Sequence, residues 1–544
     1  MDSTNPVAAA AVPRGGPVAS NVPTRLLTVA AAVVVTAGVA VVPISGSLTT
    51  PGQYAVATMA FAAVLWVTGA LPLPVTALCV PVLLTVLGVY PDFTDAVAGF
   101  ADPVVFLLLA GFVLAEALRA HGVDRRVALA VLVRFGTSPR RLVLGVMVAT
   151  AMLSMVVSNT ATVAMMVPVV LGIVDSVTDL TAVGPGANAG EEPGGADGEE
   201  ARASNLQVGM LLGVAYAASL GGVGTLVGTP PNAIVVGQLG ELVGREVTFV
   251  QWLAVGLPMV VVTLPVAWVL LTYVVYPPEQ YAVGRARERA REELNSMGPL
   301  STGGRRTVAV FAATAFLWVL GGLEFLFVGL LPPAWRVTLF GGTGTSLFGT
   351  AGHEGVLFYV LVGLLAVPAL VVGGAAAWED LVDIDWGTLL LLGGGISLAN
   401  ALSDTDATRW LAEVTLGPLE GAPVLFVLLA VVALVVAVGE LASNTAMAAI
   451  VAPLLVNVGP AYAGALGTTA ETASVLLAVT GAVAASYGFA LPVATPPNAI
   501  VFGAGYVERD HMLRAGVLLD VVVVLLTTGL AYLLVLTLWP VVLG

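Results

Sequence analysis

Two stretches of this chain are written twice. Residues 158–170 read SNTATVAMMVPVV and residues 443–455 read SNTAMAAIVAPLL. Downstream of each, GTPPNAIVVG (228–237) is matched by ATPPNAIVFG (494–503). All four are polar or helix-breaking interruptions in long apolar runs. Such segments are tolerated at membrane depth only where they are buried in protein or line a cavity. Corresponding breaks in two halves of a membrane chain point to a transporter's binding site.

The composition agrees with a membrane setting. Of 544 residues, 58% are hydrophobic and 10% are charged, and the mean hydropathy is +0.99, against roughly 25% charged in soluble domains. Apolar runs such as 253–275, 355–371, 424–438 and 515–537 lie between short polar turns, and several approach the ~20 residues that cross a bilayer core. The pattern predicts an all-α polytopic membrane protein with about eleven spanning segments, built from inverted repeats with broken helices and re-entrant hairpins. The net charge of −14 comes with arginine as the basic residue and no lysine. Charge of this size keeps exposed loops soluble and says little about fold; no nucleic-acid partner is expected. The lone Cys79 has no partner for a disulfide. His121, His353 and His511 are too far apart in sequence to suggest a metal cluster.

Residues 102–118 and 385–402 are short, apolar and glycine-bearing (Gly111; Gly393, Gly394 and Gly395). A glycine break in a short segment suggests a re-entrant hairpin, and each lies ahead of one SNT motif. The acidic stretch 177–204 has no counterpart in the second half, and it accounts for the wider motif spacing in the first. Arginines cluster at 119–141 and 285–306; by the positive-inside rule both regions, and the N-terminus with Arg14 and Arg25, face the cytoplasm of a cell-membrane protein. The first 25 residues read as a disordered tail, and 283–295 as an interfacial helix.

Ser, Asn and Thr are short and neutral, and together they both donate and accept hydrogen bonds. At a broken helix end they can cap the backbone, ligate a small cation or bond an anion. Ser154 shares a helix face with Ser158. Glu440, beside the second motif, reads as a residue bonded to nearby backbone, and Glu116 as a partner of Arg119. Two prolines in series end the incoming segment at Thr229 and Thr495. They leave the Gly228 and Ala494 carbonyls for a cation, and start a helix whose N-terminus attracts anions. No Arg or His lies within 154–168, 213–237, 437–456 or 481–503. A bound dianion therefore needs accompanying cations. The same absence leaves Ser158 and Ser443 without a general base, which argues against an intramembrane hydrolase.

These residues resemble the divalent anion/sodium symporter family; ELASNTAMAAIVAPLL and LPVATPPNAIVFG are especially close. The resemblance covers nearly the whole chain from about residue 27. It implies a homodimer in the bilayer that moves a small dianion, a C4-dicarboxylate such as succinate, with sodium as coupling ion and no other cofactor, by an elevator motion. It implies scaffold helices at 26–101 and 251–384, transport repeats at 102–250 and 385–510, and a C-terminal helix at 511–544. One sodium site would use Ser154, Ser158, Asn159 and Gly228. The other would use Gly439, Ala442, Asn444 and Ala494. The substrate would meet Ser158, Asn159, Thr160, Thr229, Pro230, Ser443, Asn444, Thr445, Thr495 and Pro496. The family often has Thr where this chain has Gly439, which is mild for a carbonyl ligand and weakening for a hydroxyl one. A sulfate or other oxyanion symporter and a dicarboxylate exchanger are alternatives on the same fold, with an anion channel behind them.

Overall fold

The computed structural model describes residues 22–42, 48–135, 138–178, 204–279, 284–327, 329–416, 422–441 and 443–537. Ala442, the N-terminal tail and nearly all of the acidic insert lie outside the described residues.

Helices dominate. The chain opens with α1 (Val22–Val41), α2 (Thr50–Thr68), α3 (Leu73–Val86) and the single turn α4 (Phe93–Ala96). There follow α5 (Pro103–Ala120), α6 (Val123–Phe135), α7 (Pro139–Ser154), α8 (Asn159–Thr178), α9 (Asn205–Gly222), α10 (Pro230–Val243) and α11 (Phe249–Val269). The middle holds α12 (Gly284–Ser296), α13 (Thr302–Gly321), α14 (Pro333–Phe340), α15 (Tyr359–Val372) and the short α16 (Trp378–Leu381). The last seven are α17 (Trp386–Asp404), α18 (Ala407–Leu416), α19 (Val424–Gly439), α20 (Asn444–Leu466), α21 (Ala470–Ala485), α22 (Pro496–Gly503) and α23 (Arg509–Thr537).

Six of the described helices are long and apolar enough to cross a bilayer: α1, α5, α11 with its π-helical extension to Val275, α17, α20 and α23. Shorter apolar helices stand beside them, α3, α8, α15, α19 and α21 among them. The outer faces are apolar too. On α23, Val517, Val521 and Leu525 are more than half exposed, while Leu519 and Val523 are fully buried. An outward stripe of this kind suits hydrocarbon as the solvent.

Helices α5 to α11 and α17 to α23 are two copies of one plan. The copy begins even earlier. Asp102 caps α5 by accepting from the Val104 amide (2.7 Å), and Asp385 caps α17 by accepting from the Thr388 amide (3.1 Å). The copies pack by exchange: α10 lies on α20 and α21, while α22 lies on α8 and α9. The turn Ala98–Ala101 lies on α17, and α16 lies on α5.

The glycines expected to break the hairpins do something else. Gly111 sits inside continuous α5, and Gly393 to Gly395 inside continuous α17. The chain reverses after them, at Gly122 (φ 61°) between α5 and α6 and at Asp406 (φ 56°) between α17 and α18. Each hairpin is thus a pair of whole helices. The central glycines admit close neighbours: a Cβ on Gly393 would lie 2.5 Å from the Phe100 ring, and one on Gly394 2.6 Å from the Ala77 carbonyl.

Helix α12 forms as expected but is tied down. Arg125 pairs with Glu293, and Arg126 donates to the Gly298 and Met297 carbonyls, both at 2.7 Å. Between α12 and α8 a cavity of about 980 Å³ is lined by Met165, Pro168, Val169, Glu288 and Glu292. Glu116 pairs with Arg119 at 2.6 Å. A small β-hairpin, Gly342–Thr345 with Ala351–His353, was not anticipated.

Overpacking a close helix contact costs about 1–3 kcal/mol. Gly394→Val should therefore lower the melting temperature of the purified protein, whereas Gly464→Val, on an open face, should not. Equal melting curves would show that α17 and α3 can move apart freely.

Candidate functional site: two broken-helix corners

The first corner lies between α7 and α8. Helix α7 ends at Ser154, and α8 restarts at Asn159. Ser158 caps the restart, its hydroxyl accepting from the Ala161 amide at 3.3 Å. Ser154 is fully buried; its hydroxyl donates to the Ala218 carbonyl at 2.8 Å and also pairs with the Asn159 side-chain amide. One hydroxyl proton cannot serve two acceptors at once, so Ser154 shares it between the Ala218 carbonyl oxygen and Asn159 Oδ1.

The second corner has the same course without that pair. The residue four before Ser443 is Gly439, which carries no hydroxyl. Accordingly the buried Asn444 Oδ1 has no partner. Ser443 is the N-cap of α20 (φ −60°, ψ 132°), and its side chain makes no capping bond. Thr445 follows half-buried in the first turn, as exposed Thr160 does on α8.

Each corner is closed by a proline loop. Thr229 (φ −147°, ψ 143°) and Thr495 (φ −138°, ψ 150°) are extended N-caps, with Pro230–Pro231 and Pro496–Pro497 opening α10 and α22. Proline is pre-set for that position and has no N–H to leave unpaired. The loops are stapled by the asparagine after the prolines. Asn232 Nδ2 donates to the carbonyls of Gly222 (3.0 Å) and Thr225 (2.7 Å). Asn498 Nδ2 donates to those of Gly488 (3.0 Å) and Leu491 (2.9 Å). Both asparagines are fully buried, and both Oδ1 atoms lack partners. Sequence reasoning quoted these asparagines and gave them no role; their repetition in both copies was the signal.

Motif and loop meet at one glycine in each half. A Cβ on Gly222 would lie 2.6 Å from Asn159 Oδ1 and 3.2 Å from Thr229 Cβ; one on Gly228 would lie 2.4 Å from the Gly222 carbonyl oxygen. Gly488 holds φ +151°, where a side chain is strained, and its Cβ position is 3.2 Å from Ala494 and 3.7 Å from both Glu440 and Thr495. Gly439 faces the Tyr487 carbonyl at 3.5 Å. The structure therefore brings Ser154, Asn159, Gly228 and Thr229 together around Gly222, and Glu440, Ala494 and Thr495 together around Gly488, while Gly439 lies against the Tyr487 carbonyl. Pro230 is half-buried and Pro496 exposed at the starts of their helices.

The corners are braced differently. Thr225 donates its hydroxyl to the Met155 carbonyl in the first. In the second, Glu440 Oε1 accepts from the Ala490 amide (3.0 Å) and Oε2 from the Leu491 amide (2.8 Å). Glu440 is thus bonded to backbone beside the break. Chemically, each corner offers carbonyls, amide oxygens and hydroxyls to a small cation, and helix N-termini to an anion.

A family model described as the sodium:sulfate symporter transmembrane region matches residues 23–539. The chain belongs to this divalent anion/sodium symporter family. A relative in Staphylococcus saprophyticus, named as a sodium-dependent dicarboxylate transporter, is 32% identical over 486 residues, covering 88% of this chain and 86% of its own. A transporter of Haemophilus influenzae is 34% identical over 478 residues, covering 88% of this chain and 90% of its own. The solved Neisseria gonorrhoeae MtrF efflux pump shares the fold at a TM-score of 0.53, with 13% identity and 94% of each chain covered. Membership makes the chain a multi-pass membrane transporter of the sodium-coupled anion class.

Each staple makes two buried bonds, and leaving an acceptor unmet costs about 1–3 kcal/mol. Asn232→Ala and Asn498→Ala should each speed amide hydrogen exchange in 222–229 or 488–495 respectively, with the other loop unaffected. Mass-spectrometric exchange showing no change in the cognate loop would remove the staple role.

Proposed function

We propose that the protein takes up a C4-dicarboxylate such as succinate with sodium, across the cell membrane, from a site shared by the two corners. The observation that carries this is the pair of corners whose SNT and TPPN motifs hold only neutral groups, with no basic side chain in the flanking segments. Helix N-termini and amides must hold the anion there, and cations beside it must balance its charge. In this reading the first sodium lies among Ser154, Ser158, Asn159 and Gly228. The second lies among Gly439, Ala442, Asn444 and Ala494. The dianion meets Ser158, Asn159, Thr160, Thr229 and Pro230 at one end, and Ser443, Asn444, Thr445, Thr495 and Pro496 at the other. Two grips suit two carboxylates better than one tetrahedral oxyanion, and the dicarboxylate named for the staphylococcal relative supports that choice.

The exchange packing supports an elevator. Each proline-loop helix is seated on the other repeat, α10 on α20 and α22 on α8. Rocking one repeat against the other would unseat both. The two corners therefore travel as one body against the scaffold of α1 to α3 and α13 to α15, which in this reading also forms the homodimer. In this reading the arginine clusters mark the cytoplasmic side, with the N-terminus on it.

Binding coupling of this kind amounts to about 1–3 kcal/mol, or 5- to 150-fold in affinity. Succinate should bind more tightly as sodium rises, and sodium more tightly as succinate rises, in calorimetry on the purified protein. Equal succinate binding in sodium and in choline would refute the coupling.

Asn444→Asp is nearly isosteric, removes two donors and sets a carboxylate where the anion should lie. Uptake into proteoliposomes should fall further than for Asn444→Ala, because the repulsion acts at low dielectric, while sodium binding persists. Full uptake by Asn444→Asp would take the second motif out of the substrate grip.

A further inference from the structure

The start of α7 and the end of α11 meet in a cluster that the transport reading does not use. Arg140 is in the first turn of α7, and its guanidinium carbon lies 4.1 Å from the centre of the Tyr273 ring, in the π-helical extension of α11. Trp268 meets that ring edge-on at 5.6 Å and donates its Nε1–H to the Arg140 carbonyl at 2.9 Å. Two aromatic rings thus hold both the backbone and the side chain of one arginine. Stacking uses the face of a guanidinium and leaves the N–H groups around its edge to donate. Arg140 is exposed and has no carboxylate partner among the described residues, and exposed Arg141 stands beside it. Helix α7 and the whole of α11 with its extension carry no Asp or Glu. Glu279, the next acid along the chain, already accepts from the Asn205 and Leu206 amides at 3.0 and 3.2 Å.

Away from this cluster the outward face of α11 is apolar. Val269, Pro265 and Val261 follow Tyr273 back along the helix at four-residue steps, and all three are exposed. On α7, which packs against α11, Met152 is exposed at the far end from Arg140. From Tyr273 to Val261 the rise is ~18 Å, close to one leaflet of a bilayer whose hydrocarbon core is ~30 Å thick. An outward apolar face is ordinary lipid contact. One that is a leaflet deep and ends at a fixed, exposed arginine matches both parts of a phospholipid, the acyl chain and the charged headgroup.

The second repeat has the same helix without the charge. Counted back from its SNT motif, the positions of Arg140 and Arg141 are taken by Leu425 and Phe426, 50% and 54% exposed. Helix α19 carries no charged residue at all. The shared plan builds the outward face twice and places cations at the end of one copy only.

We propose that α7 and α11 hold one phospholipid with a negatively charged headgroup. Arg140 bonds the headgroup phosphate, and an acyl chain lies along Val269, Pro265 and Val261. Arg141 adds its charge to the same headgroup. A guanidinium already stacked on Tyr273 loses little freedom on binding, so the cost of ordering a long side chain is met before the lipid arrives. No residue of the two corners takes part, and the site does not depend on the transport reading.

Native mass spectrometry of the full chain, released from nanodiscs of mixed phosphatidylglycerol and phosphatidylcholine, reads which lipid stays bound. The wild type should keep phosphatidylglycerol in preference to phosphatidylcholine. Arg140→Gln should lower that preference about 5-fold, the loss of one arginine's attraction to an anionic headgroup. Tyr273→Leu, which removes the ring that positions the guanidinium, should lower it as well. Arg287→Gln, at an exposed arginine of α12, should leave it unchanged. Millimolar inorganic phosphate should not displace the lipid, because phosphate has no chain to lay along α11. Equal retention of the two lipids by the wild type overturns the proposal, and so does a preference that survives both Arg140→Gln and Tyr273→Leu. A loss in Arg287→Gln as large as that in Arg140→Gln would show attraction to overall charge, and displacement by phosphate would show an anion site without a lipid; either result overturns it too.

Discussion

A helix that stops inside a membrane protein leaves amides and carbonyls with nowhere to bond, and the rest of this architecture answers that constraint. Water is not there to take up the loose ends. The chain meets the need with side chains that imitate backbone. Asn232 and Asn498 stand in for two amide donors each. Ser158 and Thr495 accept from the first turn of the helix they precede. The outcome is a pair of rigid loops whose remaining polar groups have fixed directions. Preset dipoles need no reorganisation to receive an ion, which is how a site without a basic side chain can hold charge at all.

Repetition of the plan does more than duplicate a site. Because α10 and α22 are exchanged between repeats, each half completes the other's packing. A single unit results, and the short elements Ala98–Ala101 and α16 repeat the exchange at its edge. Small residues make this possible. Phe100 and Ala77 approach α17 where a larger side chain than glycine would collide. The apolar exterior then leaves lipid contact to faces such as Val517, Val521 and Leu525.

Much of this was legible because it is written twice. The SNT and TPPN segments announced the corners, their order announced the repeat, and the prolines located the starts of α10 and α22. The glycine clusters misled on one point: a glycine run signals either a break or a close approach, and sequence does not distinguish them. Here Gly393 and Gly394 are close approaches, and the hairpin turns fall at Gly122 and Asp406. The strands at 342–353 were silent for a different reason: they are unrepeated and glycine-rich, with no alternating apolar face to announce them.

The two corners share a geometry but not an electrostatic design. In the first, neutral groups satisfy one another: Ser154 with Asn159, and Thr225 with the Met155 carbonyl. In the second, Gly439 removes the hydroxyl and leaves Asn444 Oδ1 unpartnered, while Glu440 holds the loop by charge-assisted bonds. Such bonds are roughly twice as strong as neutral ones, but they bring a buried charge that must itself be compensated. Each corner keeps an unpartnered amide oxygen, on Asn232 and on Asn498, and the second adds Asn444 Oδ1. That additional orphan oxygen gains from a cation placed beside it. Occupancy of the second corner should thus depend more steeply on what is bound nearby. Two copies of one backbone plan can hold two unequal sites for this reason, and the inequality resides in side-chain differences at matched positions: Ser154 against Gly439, and Met155 against Glu440.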